Sequence, residues 1–396
     1  MNHTDTTAQR RRPRNRKAQI LVAAAEAFSE RGYHPVGIED IAATVGISGP
    51  ALYRHFPTKY ALFVDTVMRM TDSLVAATDP AVIDVEDPQD RIDAVIGAII
   101  ATTVDNRRTG GLYRWEGRYL VGSDREYLRR ALRTVHERVT VPLRQLRPDL
   151  SEADAALLAT ASISVVASIT AHRSALSAEQ IEESMRAAAR SVLRTELPQQ
   201  RGSASAHRDC VPELASKREE LLHHSIRLFY LHGYREVGLD DIGAAVGITA
   251  SSVYRYFPSK AELLEAALHR ANAQLTETLA GALEQSNSPA DAVRTFARLY
   301  TELTFRQGEL VAVYFAEIGN LPADRRTTLR RIQRHNIDGW AQLLREARPN
   351  TSVVVSKFLI HAALGLVFDV GRTVRFERSD RTMARVEQTM TAVLLG

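Results

Sequence analysis

Two short segments of the chain carry hydroxyl and cationic side chains in the same order. The first contains Tyr53 and Lys59, and the second contains Tyr254 and Lys260. A phenolic hydroxyl and an ammonium group both donate hydrogen bonds, and on nucleic acids most such bonds go to phosphate and sugar oxygens. The pattern therefore indicates contacts to a phosphate backbone. The alternative is that the rings pack in a small core and that the lysines contact only water.

The rest of the sequence lacks the patterns that catalysis and metal binding require. It contains no glycine-rich phosphate loop, no nucleophilic serine elbow, and no histidine or acidic cluster with metal-ligand spacing. The single cysteine, Cys210, excludes an internal disulfide and a cysteine-based zinc site. We therefore expect no enzyme activity, no metal and no cofactor.

The positive charge is concentrated at the start of the chain. The net charge is +4, and residues 1–17 hold six cationic side chains against one aspartate. Such a basic arm, here with Arg12, Arg14 and Arg16, is typical of segments that contact phosphate or enter the minor groove of DNA. A solvated tail is the alternative. Neither a membrane-spanning apolar run nor a secretory signal is evident, so we expect a cytoplasmic protein with no membrane partner.

Almost the whole chain is a duplication. Gly32-Tyr33 recurs as Gly233-Tyr234, a shift of 201 positions. The same shift relates further pairs without a gap, as far as Pro148 and Pro349. Two collinear copies of this length indicate a duplicated domain rather than short stacked repeats.

Apolar side chains recur at helical spacing throughout, and no strand pattern is convincing. Gly32 is expected to end the first helix. Ser48 is expected to cap the third helix, with Pro50 in its first turn, and Thr58 to cap a fourth. The fold is therefore predicted to be all-α.

Residues 38–56 have the spacing of a helix-turn-helix motif. Gly46 occupies the turn, Ala42 is small enough for the two helices to approach, and Leu52 fills the space between them. The third helix is then free to present its first residues to base edges. An ordinary helical hairpin is the alternative, and the recurrence disfavours it. The equivalent residues in the second half are Gly247, Gly243 and Val253.

These residues resemble the TetR family of bacterial regulators. The resembling string is Gly-Tyr-x-x-Val-Gly-Ile-x-Asp-Ile-Ala-x-x-Val-Gly-Ile-Ser and then Leu-Tyr-Arg-His-Phe-Pro-x-Lys, from Gly32 to Lys59. The second copy runs from Gly233 to Lys260. The resemblance implies three DNA-binding helices and then about six more in each half. Helices four to seven would enclose an effector pocket, and helices eight and nine would form a four-helix dimer interface.

Two features depart from the family pattern. Members usually carry one unit per chain, and Val36 and Val237 stand where Thr is common. We expect the two halves to pair as an intramolecular pseudo-dimer, with further homo-oligomerisation left open. The expected segments are a basic arm at 1–17, a first helix-turn-helix domain at 18–60, a first ligand and dimerisation domain at 61–197, a linker at 198–216, a second helix-turn-helix domain at 217–261, and a second ligand and dimerisation domain at 262–396.

Candidate site residues follow from the motif and from the resemblance together. Besides the three arginines of the arm, the expected DNA contacts are Ser48, Gly49, Pro50, Ala51, Tyr53, Arg54, His55, Lys59, Thr249, Ala250, Ser251, Ser252, Tyr254, Arg255, Tyr256 and Lys260. The effector-pocket candidates are Tyr113, Trp115, Glu116, Tyr119, Tyr314, Phe315 and Glu317. Aromatic rings with an acidic group suit a small apolar or cationic ligand. A plain aromatic core with a salt-bridged glutamate is the alternative.

The predicted function is a transcriptional regulator, namely a ligand-responsive repressor. It would bind an imperfect inverted repeat in double-stranded operator DNA with its two heads, and a small apolar effector would release it. An architectural DNA-binding protein without an effector is the alternative, and a small-molecule enzyme is a remote one.

Overall fold

The computed structural model describes residues 16–198 and 216–396. Within these ranges the regular elements are all helical, which confirms the all-α prediction. The first half contains α1 Arg16–Arg31, α2 Ile38–Thr44, α3 Gly49–Tyr53, α4 Lys59–Ala77, α5 Pro80–Ile83, α6 Pro88–Asp105, α7 Leu112–Trp115, α8 Gly122–Leu146, α9 Glu152–Ala167 and α10 Ala178–Arg194. The second half contains α11 Lys217–His232, α12 Leu239–Ala245, α13 Ala250–Val253, α14 Lys260–Glu284, α15 Pro289–Arg306, α16 Gly308–Glu317, α17 Ala323–Ala347, α18 Val353–Thr373 and α19 Asp380–Leu395.

The first three helices of each half form a small helical unit, which we call the first head (α1–α3) and the second head (α11–α13). The turn before each third helix contains a glycine in the left-handed region, with φ of +68° at Gly46 and +73° at Gly247. A side chain at either position would be strained. Leu52 and Val253 are fully buried between the helices, as the motif predicts.

Each third helix is capped by the hydroxyl that precedes it. The Ser48 hydroxyl accepts a hydrogen bond from the Ala51 amide at 3.4 Å. The Thr249 hydroxyl accepts one from the Ser252 amide at 3.3 Å. Such caps satisfy amides that would otherwise lack a partner and contribute about 1 kcal/mol each.

The two halves differ where the fourth helix ends. In the first half α4 ends at Ala77, and Asp79 then caps a new one-turn helix that begins at Pro80. Proline cannot continue a helix because it lacks an amide hydrogen. The position equivalent to Pro80 in the second half is Gly281, and α14 continues to Glu284.

The halves pack against each other through their last two helices. Helix α9 packs against α18, and α10 against α19, so a four-helix interface forms within one chain. The apolar core is continuous across it and includes Leu158 and Val165 of α9 with Phe358 and Leu366 of α18. The chain therefore folds as an intramolecular pseudo-dimer.

Two helical segments are long and apolar enough to cross a membrane, Glu152–Thr170 and Val353–Thr373. The prediction that the sequence contains no apolar run of membrane-spanning length is therefore wrong for these two segments. In each case 67% of the most apolar window is buried inside the protein, because α9 and α18 form the centre of the paired core. Their apolar composition is therefore explained by packing between the halves.

Candidate nucleic-acid interface and effector site

The predicted DNA contacts of α3 and α13 form one face on each head. Tyr53 is 46% exposed and Tyr254 is 56% exposed, which disfavours the alternative that the rings pack in the core. Contact with phosphate stays a prediction. The other exposed candidates are Ser48, Pro50, Arg54, His55, Thr249, Ser251, Arg255 and Tyr256, and the partly buried ones are Gly49, Ala51, Ala250 and Ser252.

Lys59 and Lys260 contact the protein more than the sequence suggested. Lys59 donates to the carbonyl of His34 at 3.0 Å and lies over the Tyr33 ring. Lys260 donates to the carbonyls of Tyr234 and Val237 at 2.8 and 2.7 Å. Burial lowers the pKa of both lysines. These side chains tie the fourth helix to the loop after the first, and a phosphate would compete with that role.

Arg16 takes part in a contact that sequence reasoning missed. It is the first residue of α1 and donates to the carbonyl of Val45, at the end of α2. Lys217, which is 201 positions later, donates to Val246 in the same way. The repeat could have indicated this equivalence. The other arm residues with a predicted DNA contact, Arg12 and Arg14, lie outside the described residues.

Glu116 and Glu317 connect the heads to the bundles. Glu116 accepts a hydrogen bond from the Tyr33 amide at 2.8 Å, and Glu317 accepts one from the Tyr234 amide at 3.2 Å. Both carboxylates are buried, and each bond joins residues 83 positions apart. These two hydrogen bonds join each bundle directly to the loop that precedes the recognition motif.

The two anchors differ in charge compensation. Glu317 forms an ion pair at 2.8 Å with Arg118 from the opposite half. The register places Gly319 where Arg118 would recur, so Glu116 has no equivalent arginine from the second half. Burial raises the pKa of Glu116 to about 7. About half of the Glu116 carboxyls are therefore protonated near pH 7.

The two heads also contact each other directly. The imidazole Nδ1 of His34 lies 3.9 Å from a carboxylate oxygen of Glu236. Tyr119 of the first half approaches the second head, since its hydroxyl would lie 3.2 Å from a side chain at Gly233. The separation of the heads is thus set by contacts between the halves as well as by the bundles.

A mostly apolar space, which we call the chamber, lies among helices α14 to α18 of the second half. Its free volume is about 50 Å³. Trp115 of the first half forms part of its wall and stacks on Phe315, with ring centroids 5.1 Å apart. The position equivalent to Trp115 in the second half is Ala316. The first half therefore contributes a tryptophan to the wall in the second half, and the second half has no equivalent tryptophan to contribute in return.

Arg114 joins the halves beside the chamber. It forms a buried ion pair with Asp369, and Asp369 also accepts a hydrogen bond from Ser164 at 2.6 Å. The equivalent positions in the repeat hold Phe315 and Ser168, so this pair has no counterpart.

A wider space, which we call the cleft, opens next to the chamber. It has a volume of about 1130 Å³ and lies between the first head, α7 and the second half's α17. Cations outnumber acids along its walls, including Arg326, Arg330 and Arg334 of α17. His172 and His361 line it, and their rings stack on each other across the halves with centroids 4.1 Å apart.

The profile of the bacterial regulatory proteins, tetR family, matches residues 20–66 and again residues 221–267. The two matches are 201 positions apart, the same shift that relates the halves. The chain belongs to the tetR family. It carries two tetR-type units in tandem.

Several tetR-type and related proteins are similar over part of the chain. An HTH-type transcriptional activator, FasR of Mycolicibacterium smegmatis, is 39% identical over 22% of this chain and 41% of its own length. The nucleoid occlusion factor SlmA of Photorhabdus laumondii is 31% identical over 34% of this chain and 66% of its own. The chain thus matches less than two thirds of either relative. A solved tetR-family regulator from Bordetella parapertussis is 24% identical to this chain. The match covers 45% of this chain and 94% of the regulator's chain, with a TM-score of 0.42.

The structure divides the predicted effector residues into three groups. Trp115, Tyr314 and Phe315 meet at the chamber. Glu116 and Tyr119 line the cleft only. Tyr113 and Glu317 line neither space; Tyr113 packs between two apolar cores, and Glu317 anchors the second head.

Proposed function

We propose that this tetR-type protein is a ligand-responsive repressor that binds an imperfect inverted repeat with both heads of one chain. It would act in the cytoplasm on double-stranded operator DNA. The observation that carries the proposal is the pairing of the two halves through one continuous core, with a complete but different head on each half. Because both heads belong to one chain, the operator-binding unit needs no second copy.

The two heads present different groove-facing residues, so the two half-sites should differ. The first recognition helix begins Gly-Pro-Ala, and the second begins Ala-Ser-Ser. Side chains at these positions contact base edges when such a helix lies in the major groove, with half-sites about 34–36 Å apart. An operator with two unlike halves follows from this divergence.

The test is footprinting on the DNA upstream of the chain's own gene with Tyr53→Phe and Tyr254→Phe. Each change removes one hydroxyl that would donate to phosphate, and we expect a loss of affinity of about tenfold. Each variant should weaken protection of a different half-site. Tyr127→Phe, an exposed tyrosine on α8 outside the heads, is the matched control. Equal affinity of all three variants and the parent would refute the assignment of both heads.

Ligand response would travel from the chamber to the heads through short contacts. Trp115 is adjacent in sequence to Glu116, which holds the first head. Phe315 lies two positions before Glu317, which holds the second. A ligand that separates Trp115 from Phe315 would move both anchors and change the separation of the heads, which is a coupling between distant sites.

A DNA-binding protein without an effector is the second candidate, favoured by the small free volume of the chamber, about 50 Å³. The relatives include a transcriptional activator and a nucleoid occlusion factor, so the sign of regulation needs its own test. A reporter fused to the upstream DNA should be expressed more strongly when the gene is deleted. Lower expression on deletion would identify an activator.

A further inference from the structure

The chamber and the cleft are two parts of one composite space. Seven residues line both: Trp115, Ala171, Tyr314, Phe315, Gln333, Ile337 and His361. Beyond them most of the chamber wall is apolar and includes Leu303, Leu310 and Phe368. Its polar members are Gln274, Asn336 and Arg114, and Arg114 is paired with Asp369. One ligand can therefore contact an apolar interior and a polar exterior at the same time.

The cleft carries positive charge that the protein does not neutralise. Arg326, Arg330 and Arg334 lie one turn apart on α17, and like charges at this spacing destabilise a helix. In residues 16–198 and 216–396, none of the three has a carboxylate within 4.0 Å. Arg326 and Arg334 instead donate to the carbonyls of Gly319 and Arg330, each at 3.3 Å.

Other cations of the cleft do have acidic partners. Lys357 pairs with Asp338 at 2.5 Å, and Arg108 pairs with Glu26 at 3.5 Å. The three arginines of α17 thus differ from these paired cations. Arg173, on another wall of the cleft, also lacks a carboxylate within 4.0 Å in the described part of the chain and donates to backbone carbonyls. Guanidinium groups bind phosphate and carboxylate through paired hydrogen bonds.

We propose that this composite space binds one amphiphilic anion, with its apolar chain in the chamber and its phosphate or carboxylate group on the arginines of α17. The inference rests on the proposed ligand response and specifies the ligand class. Because the chamber's free volume admits only a few water molecules, the chain must part Trp115 from Phe315 as it enters. Both halves contribute residues to the wall of this site.

Tryptophan fluorescence gives a direct test, since the chain has only two tryptophans and both Trp115 and Trp340 line the chamber. The full chain is titrated with octyl phosphate, octanoate and octanol, all well below micelle formation. We expect octyl phosphate or octanoate to change the emission and to bind at least about tenfold more tightly than octanol. Comparison of the two anions shows which head group is preferred.

Variants of one exposed arginine test the cleft. Arg330→Ala should weaken the preferred anion about tenfold, and Arg330→Lys should restore part of the loss. Arg129→Ala is the matched control, because Arg129 occupies the same register in α8 and does not line the cleft. Binding of octanol as tight as that of both anions, no emission change with any probe, or equal losses in Arg330→Ala and Arg129→Ala would overturn the proposal.

Binding of labelled operator DNA is measured on the same samples by fluorescence anisotropy. This measurement distinguishes failure of the proposed ligand class from failure of the proposed function. Anion binding that depends on Arg330 but leaves DNA affinity unchanged supports the ligand class and refutes the ligand-responsive function. Release of DNA by octanol, with no preference for either anion, supports ligand response and refutes the ligand class.

Discussion

At the scale of single residues, the repeat has produced pairs of equivalent positions with different chemistry. Glu116 and Glu317 accept the same kind of backbone hydrogen bond, but only Glu317 has an arginine partner. Burial favours the neutral form of Glu116 and outweighs the Tyr33 amide and the more distant Arg118, which both favour the charged form. Its folded-state pKa of about 7 lies above the ordinary value of 4.5.

The raised pKa of Glu116 predicts stability that is present at acidic pH and lost as pH rises. The folded chain keeps a proton on Glu116 between pH 4.5 and about 7, where the unfolded chain has released it. Glu116→Gln has no carboxyl at this position and should lack this pH dependence. As the pH rises from 5 to 8, its free energy of unfolding should therefore increase relative to that of the parent by up to about 3 kcal/mol. Urea denaturation at four pH values measures this. The exposed Glu126→Gln is the control, and parallel profiles for all three proteins would contradict the prediction.

A second prediction at this scale concerns the buried pair of Arg114 and Asp369, whose side chains are 5% and 13% exposed. Asp369→Ala leaves Arg114 buried without a counter-charge, and we expect a loss of about 3–5 kcal/mol. Asp338→Ala breaks the more exposed pair with Lys357 and should cost at most about 1 kcal/mol. Chemical denaturation compares the two. Similar losses would show that burial of the first pair does not matter energetically.

At the scale of elements, the two heads pack their motif helices at different distances. A methyl group at Gly243 would lie 2.7 Å from the Ile248 carbonyl, whereas the first head holds Ala42, buried, in the same register. The backbones of α12 and the following turn therefore approach more closely than those of the first head. This closer approach depends on the absence of a side chain.

We therefore expect Gly243→Ala to destabilise the second head by about 1–3 kcal/mol, because the turn must shift. Footprinting should lose protection at one half-site while the other is retained. Ala42→Gly, the change in the opposite direction at the equivalent position, should cost about 1 kcal/mol or less and leave both half-sites protected. Unchanged footprints with Gly243→Ala would mean that the turn absorbs the methyl group without moving α13.

At the scale of the whole molecule, the ion pairs between the halves are one-way, meaning that each occurs once and has no counterpart at the equivalent positions. Arg114 pairs with Asp369, Arg118 with Glu317, and Arg385 with Asp154 at 2.8 Å. None of these pairs recurs at the equivalent positions, which hold Phe315 and Ser168, Gly319 and Glu116, and Ser184 and Val355. Two copies of the first half paired together would leave Arg114 opposite a serine.

The one-way ion pairs predict that the halves stay together without the covalent link. A protease site can be inserted within residues 198–216 of the full chain and then cleaved. After cleavage, the mass measured by sedimentation should remain 43.9 kDa, and the affinity for the operator should not change. The continuous core and the one-way pairs hold the halves in register. Separation of the fragments, or reassembly into two-copy complexes of one half, would contradict this.

The heads could be predicted from the sequence in detail because their determinants are local. The turn glycines, the Ser48 and Thr249 positions before the third helices and the buried Leu52 and Val253 all lie within one motif. Helix caps, left-handed glycines and apolar periodicity act over a few residues. The beginning of α1 at Arg16, within the segment assigned to the arm, was not predicted, because its partner at Val45 is 29 positions away.

By itself, then, the sequence determined the duplication, the all-α fold and the two motifs, since each rests on residue spacing along the chain. Only the tertiary structure decided which half completes which site. Arg114 and Asp369 are 255 positions apart, and Trp115 reaches a chamber built from the other unit. Such contacts depend on how α9 and α10 pack against α18 and α19, and no local pattern specifies the side chains that packing brings together. The two segments with hydroxyl and cationic side chains are thus alike in sequence, but they belong to heads that are anchored differently.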